Sequence, residues 1–203
     1  DNIDLRWEYF FNPGELISLS GFYKYFNSPI ERYKVSLTGA LTTFRNGADA
    51  KMYGVEIEFR KNLDFIPALE DFQIGTNFTY IYSEQNVDST RLALAREVVP
   101  DFPSVRPFYG QPPYIFNAFL IYNNTDLGLN ANLAFNVEGE KIVILSKFQT
   151  PDVYEQPYPE LNLNIGKRIF EDFEISVSGE NLLNPVFEQS FELDGEVYPY
   201  RRF

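Results

Sequence analysis

The chain has 203 residues and contains neither cysteine nor histidine, which removes disulfides, thiolate metal sites, the usual zinc ligands and the Ser-His-Asp and Cys-His arrangements of nucleophilic catalysis. Its 29 acidic against 17 basic side chains give a formal net charge of −12, which argues against nucleic acid as partner, because a phosphate backbone demands basic surface. Aromatic residues make up 17% of the chain, and no run of about 18 apolar residues exists to form a transmembrane helix.

Apolar and polar residues instead alternate with a period of two in about eight segments, each long enough to cross a bilayer as a tilted strand. The first, Ile3 to Phe11, puts Ile3, Leu5, Trp7, Tyr9 and Phe11 on one face, and Asn12-Pro13-Gly14-Glu15 then turns the chain. The second, Leu16 to Phe26, faces Ile17, Leu19, Gly21, Tyr23 and Tyr25 outward, and a polar stretch from Asn27 to Ala50 follows. In the third, Lys51 to Lys61, Tyr53, Val55, Ile57 and Phe59 oppose Gly54, Glu56, Glu58 and Arg60, a pattern unsuited to a strand buried on both faces. After Asn62 to Asp71 comes the fourth, Phe72 to Ser83, with Phe72, Ile74, Phe78, Tyr80 and Tyr82 against Gln73, Gly75, Asn77 and Thr79. Glu84 to Pro112 is the longest loop, rich in Pro, Arg and Asp. The fifth strand is Pro113 to Tyr122 and the sixth Leu127 to Asn136, joined by Asn123-Asn124-Thr125-Asp126. The connection Val137 to Pro157 extends this hairpin through Ile142 to Leu145, and Phe170-Glu171-Asp172 joins the seventh strand, Tyr158 to Ile169, to the eighth, Phe173 to Leu183.

One face of these strands is greasy and ends in tyrosines, while the other is Gly, Asn, Ser, Thr and a few charges. That is what a strand needs when one side meets lipid and the other a wet lumen. The fold class expected is therefore all-β, an antiparallel up-and-down transmembrane β-barrel segment. Connections alternate between short and long, so the turns at Asn12, Asn62, Asn123 and Phe170 are expected in the periplasm and the loops at Asn27, Glu84 and Val137 outside the cell. The first strand then starts, and the eighth ends, on the outside, so residues 1–203 are expected to be a partial outer-membrane barrel cut from a larger one.

Ile175-Ser176-Val177-Ser178-Gly179-Glu180-Asn181-Leu182-Leu183-Asn184-Pro185, with Phe187 just beyond, resembles the Asn-Leu-Leu-Asn/Asp segment near the C-terminus of TonB-dependent outer-membrane receptors. Tyr53-Gly54-Val55-Glu56-Ile57-Glu58, Gly110-Gln111-Pro112-Pro113-Tyr114 and Tyr158-Pro159-Glu160-Leu161-Asn162-Leu163 are similar to other strands of that family, in the same order. The resemblance covers nearly the whole chain. It implies about eight strands of a 22-stranded barrel whose lumen holds a plug. The plug domain and the final strand are absent from these residues, and Tyr198-Pro199-Tyr200-Arg201-Arg202-Phe203 reads as loop because it holds a proline and lacks alternation.

The resemblance further implies a receptor in the Gram-negative outer membrane for active uptake of a scarce extracellular solute (siderophore, cobalamin, peptide or glycan). Its partners would be outer-membrane lipid, the plug of the same polypeptide and an inner-membrane TonB-type energy-coupling complex, with a surface lipoprotein left open. No cofactor, metal or catalytic residue is expected, and the chain is read as no enzyme. Glu56, Glu58, Arg60, Arg168 and Glu180 face the lumen, either toward a plug or as hydrated wall charges. Arg91, Arg96, Arg106, Phe108 and Tyr109, joined by Lys147, Phe148 and Tyr154 of the next loop, form a basic-aromatic group suited to an anionic or sugar-like ligand, although solvated loop chemistry is the plainer account of any one of them. Asp88, Asp101, Asp152 and Asp194 carry calcium-type ligands without the spacing of a calcium loop. Two other architectures share the alternation: a smaller outer-membrane barrel serving as porin, adhesin or hydrolase, and a soluble β-sandwich binding module.

Overall fold

The structure, a computed structural model, describes residues 1–34, 42–97, 100–145, 151–171, 173–193 and 195–203. In chain order its elements are β1 (Asn2–Phe10), β2 (Leu16–Phe26), β3 (Ile30–Lys34), β4 (Thr42–Asn46), β5 (Ala50–Asn62), β6 (Phe72–Asn86), α1 (Ser89–Arg96), β7 (Val105–Arg106), β8 (Tyr114–Asn124), β9 (Leu129–Glu138), β10 (Lys141–Ile144), β11 (Val153–Glu155), β12 (Glu160–Phe170), β13 (Phe173–Gly179), β14 (Glu188–Leu193) and β15 (Glu196–Arg202). The eight long strands form one sheet in the order β1-β2-β5-β6-β8-β9-β12-β13, with the short β7 added to the end of β6. Every neighbouring pair is antiparallel, and the sheet is open, since β1 and β13 each pair on one side only among the described residues.

Paired residues of an antiparallel ladder share a face, so the registers show what each side of the sheet is made of. One row runs Trp7, Leu19, Ile57, Phe78, Phe116, Val137. The adjacent row on the opposite face runs Glu8, Ser18, Glu58, Asn77, Asn117, Asn136, Glu160. Apolar side chains on the first face lie open: Leu5 is 78% exposed, Trp7 58% and Val177 67%. An apolar wall this broad is untenable in water and is the surface a barrel turns to lipid. The buried hydrophobic side chains are elsewhere, with Ile142, Leu145, Val153 and Val87 gathered in the connections at the long-loop end.

The two kinds of connection differ in build. Asn12–Glu15 is a tight turn closed by the Glu15 N–H on the Asn12 carbonyl at 3.0 Å, with Gly14 at φ +81°. The longer loops carry structure of their own. β3 and β4 form a separate hairpin, and β10-β11-β14-β15 form a four-stranded sheet above the main one. A bridge between Tyr33 and Leu145 ties the two together.

Four expectations are corrected. The eighth strand ends at Gly179 and not at Leu183, because Asn181 and Asn184 adopt φ +51° and +43°, a left-handed conformation that stops a strand and that asparagine tolerates. The sixth starts at Leu129 and not at Leu127, since Gly128 at φ +59° closes the preceding turn. Glu84 to Pro112 contains α1 and β7 in place of bare loop. Tyr198 to Arg202 is strand, not loop: Gln189 pairs with Arg201 and Ser190 with Pro199, leaving Tyr200 as a bulge. β15 is an edge strand, and an edge at a bulge is where a sheet accepts proline.

Candidate functional site

At the long-loop end, three connections are locked together by charge. Asp88 caps α1, its Oδ1 accepting the N–H groups of Thr90 and Arg91 at 3.0 and 3.2 Å. The first turn of the helix thereby holds Arg91, whose buried guanidinium donates from Nη2 to Asp152 Oδ1 of the next loop at 2.7 Å. Arg106 on β7 is fixed by pairing with Gln85 of β6 and donates from Nη2 to Glu31 Oε1 of the β3–β4 hairpin at 2.6 Å. Glu31 is fully buried and has Arg45 Nε 3.4 Å from its other oxygen, while Arg45 stacks on Tyr33 at 4.0 Å. Burial pulls the Arg106 guanidinium below its usual value, and the Glu31 carboxylate opposes that shift.

These ion pairs do not use all the hydrogen-bonding capacity they bury. Among the described residues, Nε and Nη1 of both Arg91 and Arg106 find no hydrogen-bond partner, nor do Glu31 Oε2 and Gln85 Oε1. A cleft of about 160 Å³ lies against Arg106 and Glu31, lined also by Arg45, Gly47, Asn86 and Asp88. Gly47 has to be glycine-sized here, since a Cβ at that position would stand 2.2 Å from Glu31 Oε1.

Of the residues expected to bind ligand, the structure brings Arg91, Arg106 and Tyr154 into one electrostatic neighbourhood. Burial, with Asp152 and Glu140 adding to it, pushes the Tyr154 hydroxyl up to about 12. Tyr109 donates to the Val143 carbonyl at 3.2 Å, and Phe108 packs against Phe26 with ring centroids 5.1 Å apart. Both aromatics therefore brace the loops. Arg96 stands apart, exposed, with its Nε on the Phe102 carbonyl at 3.1 Å. Lys147 and Phe148 lie outside the described residues, as does Asp194. Among the described residues, no group of three or more acidic side chains is placed to hold a metal ion. Sequence reading missed Glu31, Arg45 and Gln85, since no local pattern joins Glu31 to a partner 75 positions away.

The polar face of the sheet has two halves. Across β1 to β6 it is an ion-pair lattice, with Glu58 accepting from Arg6 at 2.7 Å and Arg60 at 2.6 Å, and Glu56 accepting from Asn77 at 2.6 Å. Across β8 to β13 it is mostly amide and hydroxyl, with Asn136 on Asn117 at 2.5 Å and Asn164 on Ser178 at 2.7 Å. A groove of about 360 Å³ runs there between Asn132, Asn162, Asn164, Ser178 and Asn181. The Asn-Leu-Leu-Asn segment is pinned at its upper end: Asn181 donates its backbone N–H to Asn162 Oδ1 and its side chain to the Tyr158 hydroxyl, and Leu182 donates to the Leu161 carbonyl.

Residues 1–182 match the family model described as TonB dependent receptor-like, beta-barrel. No curated protein matches the chain in sequence. Among solved structures, the ferric yersiniabactin uptake receptor of Yersinia pestis is similar with a TM-score of 0.62 at 21% identity, over 98% of this chain and 27% of that one. The ferric enterobactin receptor of Pseudomonas aeruginosa gives 0.57 at 17% identity, over 93% and 26%. The ferric-catecholate import receptor of E. coli K12 gives 0.57 at 16% identity, over 92% and 23%. The chain thus spans about a quarter of the length of the receptors it resembles, and at these identities the likeness is one of fold. An antiparallel sheet with a lipid-type outer face, a polar inner face and alternating short turns and elaborated loops, matched by that model over most of its length, places the chain in the TonB-dependent receptor β-barrel family.

Proposed function

We propose that this chain supplies barrel wall and loop surface to an outer-membrane receptor that takes up a scarce extracellular solute by energised transport. The observation that carries the reading is the family match over residues 1–182 on a sheet whose exposed apolar face requires lipid. The long-loop end faces the medium and the tight turns face the periplasm. A plug from elsewhere in the same polypeptide fills the lumen against the ion-pair and amide rows, and a TonB-type complex of the inner membrane moves it. The solute belongs among siderophores, cobalamin, peptides and glycans. The named similarity to ferric yersiniabactin, ferric enterobactin and ferric-catecholate receptors makes an iron chelate the first to try. Arg91, Arg96, Arg106, Phe108, Tyr109, Lys147, Phe148 and Tyr154 belong to the loop surface that receives or frames it.

The test is uptake of radiolabelled ferric chelates, cobalamin, peptides and glycans by cells with and without the parent gene. Uptake of one of these that needs the gene and stops with a protonophore is the expected result. Gene-dependent entry that continues without a proton gradient would make the barrel a passive porin.

A further inference from the structure

The basic and aromatic loop residues suit an anionic or sugar-like ligand, yet the cleft beside Arg106 is electrically balanced. The 160 Å³ cleft is lined by two cations, Arg45 and Arg106, and two anions, Glu31 and Asp88. It has hydrogen-bonding capacity of both kinds left among the described residues, with Arg106 Nε and Nη1 as donors and Glu31 Oε2, which has Arg45 Nε at 3.4 Å but no hydrogen bond, as acceptor. Arg106 is 8% exposed and Glu31 not at all, so a partner for these atoms has to come to them inside the cleft. Of the Asp88 carboxylate, only Oδ1 is engaged in capping α1. A lone anion would meet two carboxylates here, and a lone cation two guanidinium groups. A molecule with both charges a few bonds apart satisfies both ends. The volume is about half the roughly 300 Å³ at which pockets for drug-sized ligands begin, so it takes a small group and not a whole chelate.

We propose that this cleft binds an α-amino-acid-type zwitterion, free or as the exposed end of a larger solute. Its carboxylate is received by Arg106 and Arg45, and its ammonium by Asp88 and Glu31. This deepens the receptor reading and rests on it for biological purpose, though not for its test.

The full-length receptor, purified from outer membranes in detergent, is titrated calorimetrically with L-alanine, and in parallel with acetate and methylammonium as single-charge probes. Saturable binding of alanine is expected, with acetate and methylammonium weaker by about tenfold or more, the scale of one lost hydrogen bond to a charged group. Asp88→Asn keeps a helix-capping side chain but loses the charge, and is expected to weaken alanine about tenfold while leaving heat-modifiable gel mobility unchanged. Arg45→Gln, at a half-exposed site, is expected to do the same from the carboxylate side. Acetate binding as tightly as alanine would make the cleft a plain anion site and overturn the proposal. So would alanine binding unchanged in a folded Asp88→Asn receptor, or no saturable binding, which would leave the cleft to solvent. None of these outcomes touches energised uptake, which is measured separately in cells.

Discussion

Arg106 shows what a buried charge does in the loop layer. Its guanidinium and the Glu31 carboxylate are both out of water, so the pair's net worth is modest, but either partner alone is costly. Arg106→Ala is expected to destabilise the packing of β3 and β4 on the β6–β8 connection by about 3–5 kcal/mol, whereas the double variant with Glu31→Gln recovers part of that loss. Hydrogen exchange reads the effect locally, as lost protection in those loops with β6 and β8 unchanged. Glu15 offers a second residue-level test, at the opposite end. Fully buried in the first tight turn, it accepts from Lys61 Nζ at 2.8 and 2.9 Å, from the Asn62 N–H at 3.1 Å and from Asn12 at 2.9 Å. The Lys61 ammonium above all holds this carboxyl below its ordinary 4.5, against the effect of burial. A depressed carboxylate contributes stability that is complete above the unfolded value and is lost as pH falls through the folded one. Denaturant unfolding of Glu15→Gln against wild type is therefore expected to show a deficit at pH 7 that shrinks below about pH 4.5. Neither site could be read from sequence. Alternation marks a strand because its cause is local, but Arg106 and Glu31, or Lys61 and Glu15, meet only once the sheet has set their register.

At the scale of the strand, one position changes the solvent of a side chain. Ile57 and Glu56 are neighbours near the middle of β5, Ile57 in the row with Trp7 and Phe116 and Glu56 in the one with Ser20 and Thr79. Ile57→Arg is expected to cost about 2–4 kcal/mol of folding free energy in phospholipid vesicles, the range for a cation at mid-bilayer, while Glu56→Gln costs far less because that face is hydrated. Reversible denaturant titration of folding into vesicles checks both, and equal effects would count against a lipid–lumen division of the sheet. The same division explains why the long strands were legible. β2 occupies the predicted bounds, and β5 and β6 each contain their predicted strand and run slightly longer. Where the sequence misled, left-handed residues or long-range pairing had overridden the pattern. Asn181 ends β13 inside a motif that looks like strand, and Tyr198–Arg202 becomes strand despite Pro199 because β14 supplies the partner. α1 is a short helix held by the Asp88 cap and the Arg91–Asp152 pair more than by an apolar stripe, and such a helix leaves little periodicity to read.

The whole chain is arranged along the axis normal to the sheet's rows. Its small buried apolar core and the Arg91–Asp152 and Arg106–Glu31 pairs lie at one end, a bare apolar wall fills the middle, and tight turns, the first holding the buried Glu15 carboxylate, close the other end. On the proposed orientation the elaborated connections lie outside the cell, because loops long enough to fold on themselves can close over a ligand while short turns only link strands. The absence of cysteine from these 203 residues lets single introduced thiols report this directly. Phe44, in β4 of the hairpin, is 73% exposed, and Phe65, in the connection between β5 and β6, is 64% exposed, so both sites accept a label without disturbing packing. In intact cells, a membrane-impermeant maleimide is expected to label Phe44→Cys within minutes and to leave Phe65→Cys unlabelled. Permeabilising the outer membrane should then bring Phe65→Cys to the same extent of labelling. The reverse order would put the tight turns outside and move the zwitterion cleft to the periplasm, where no extracellular solute could reach it first. Equal labelling of both in intact cells would mean that these residues do not span the membrane at all.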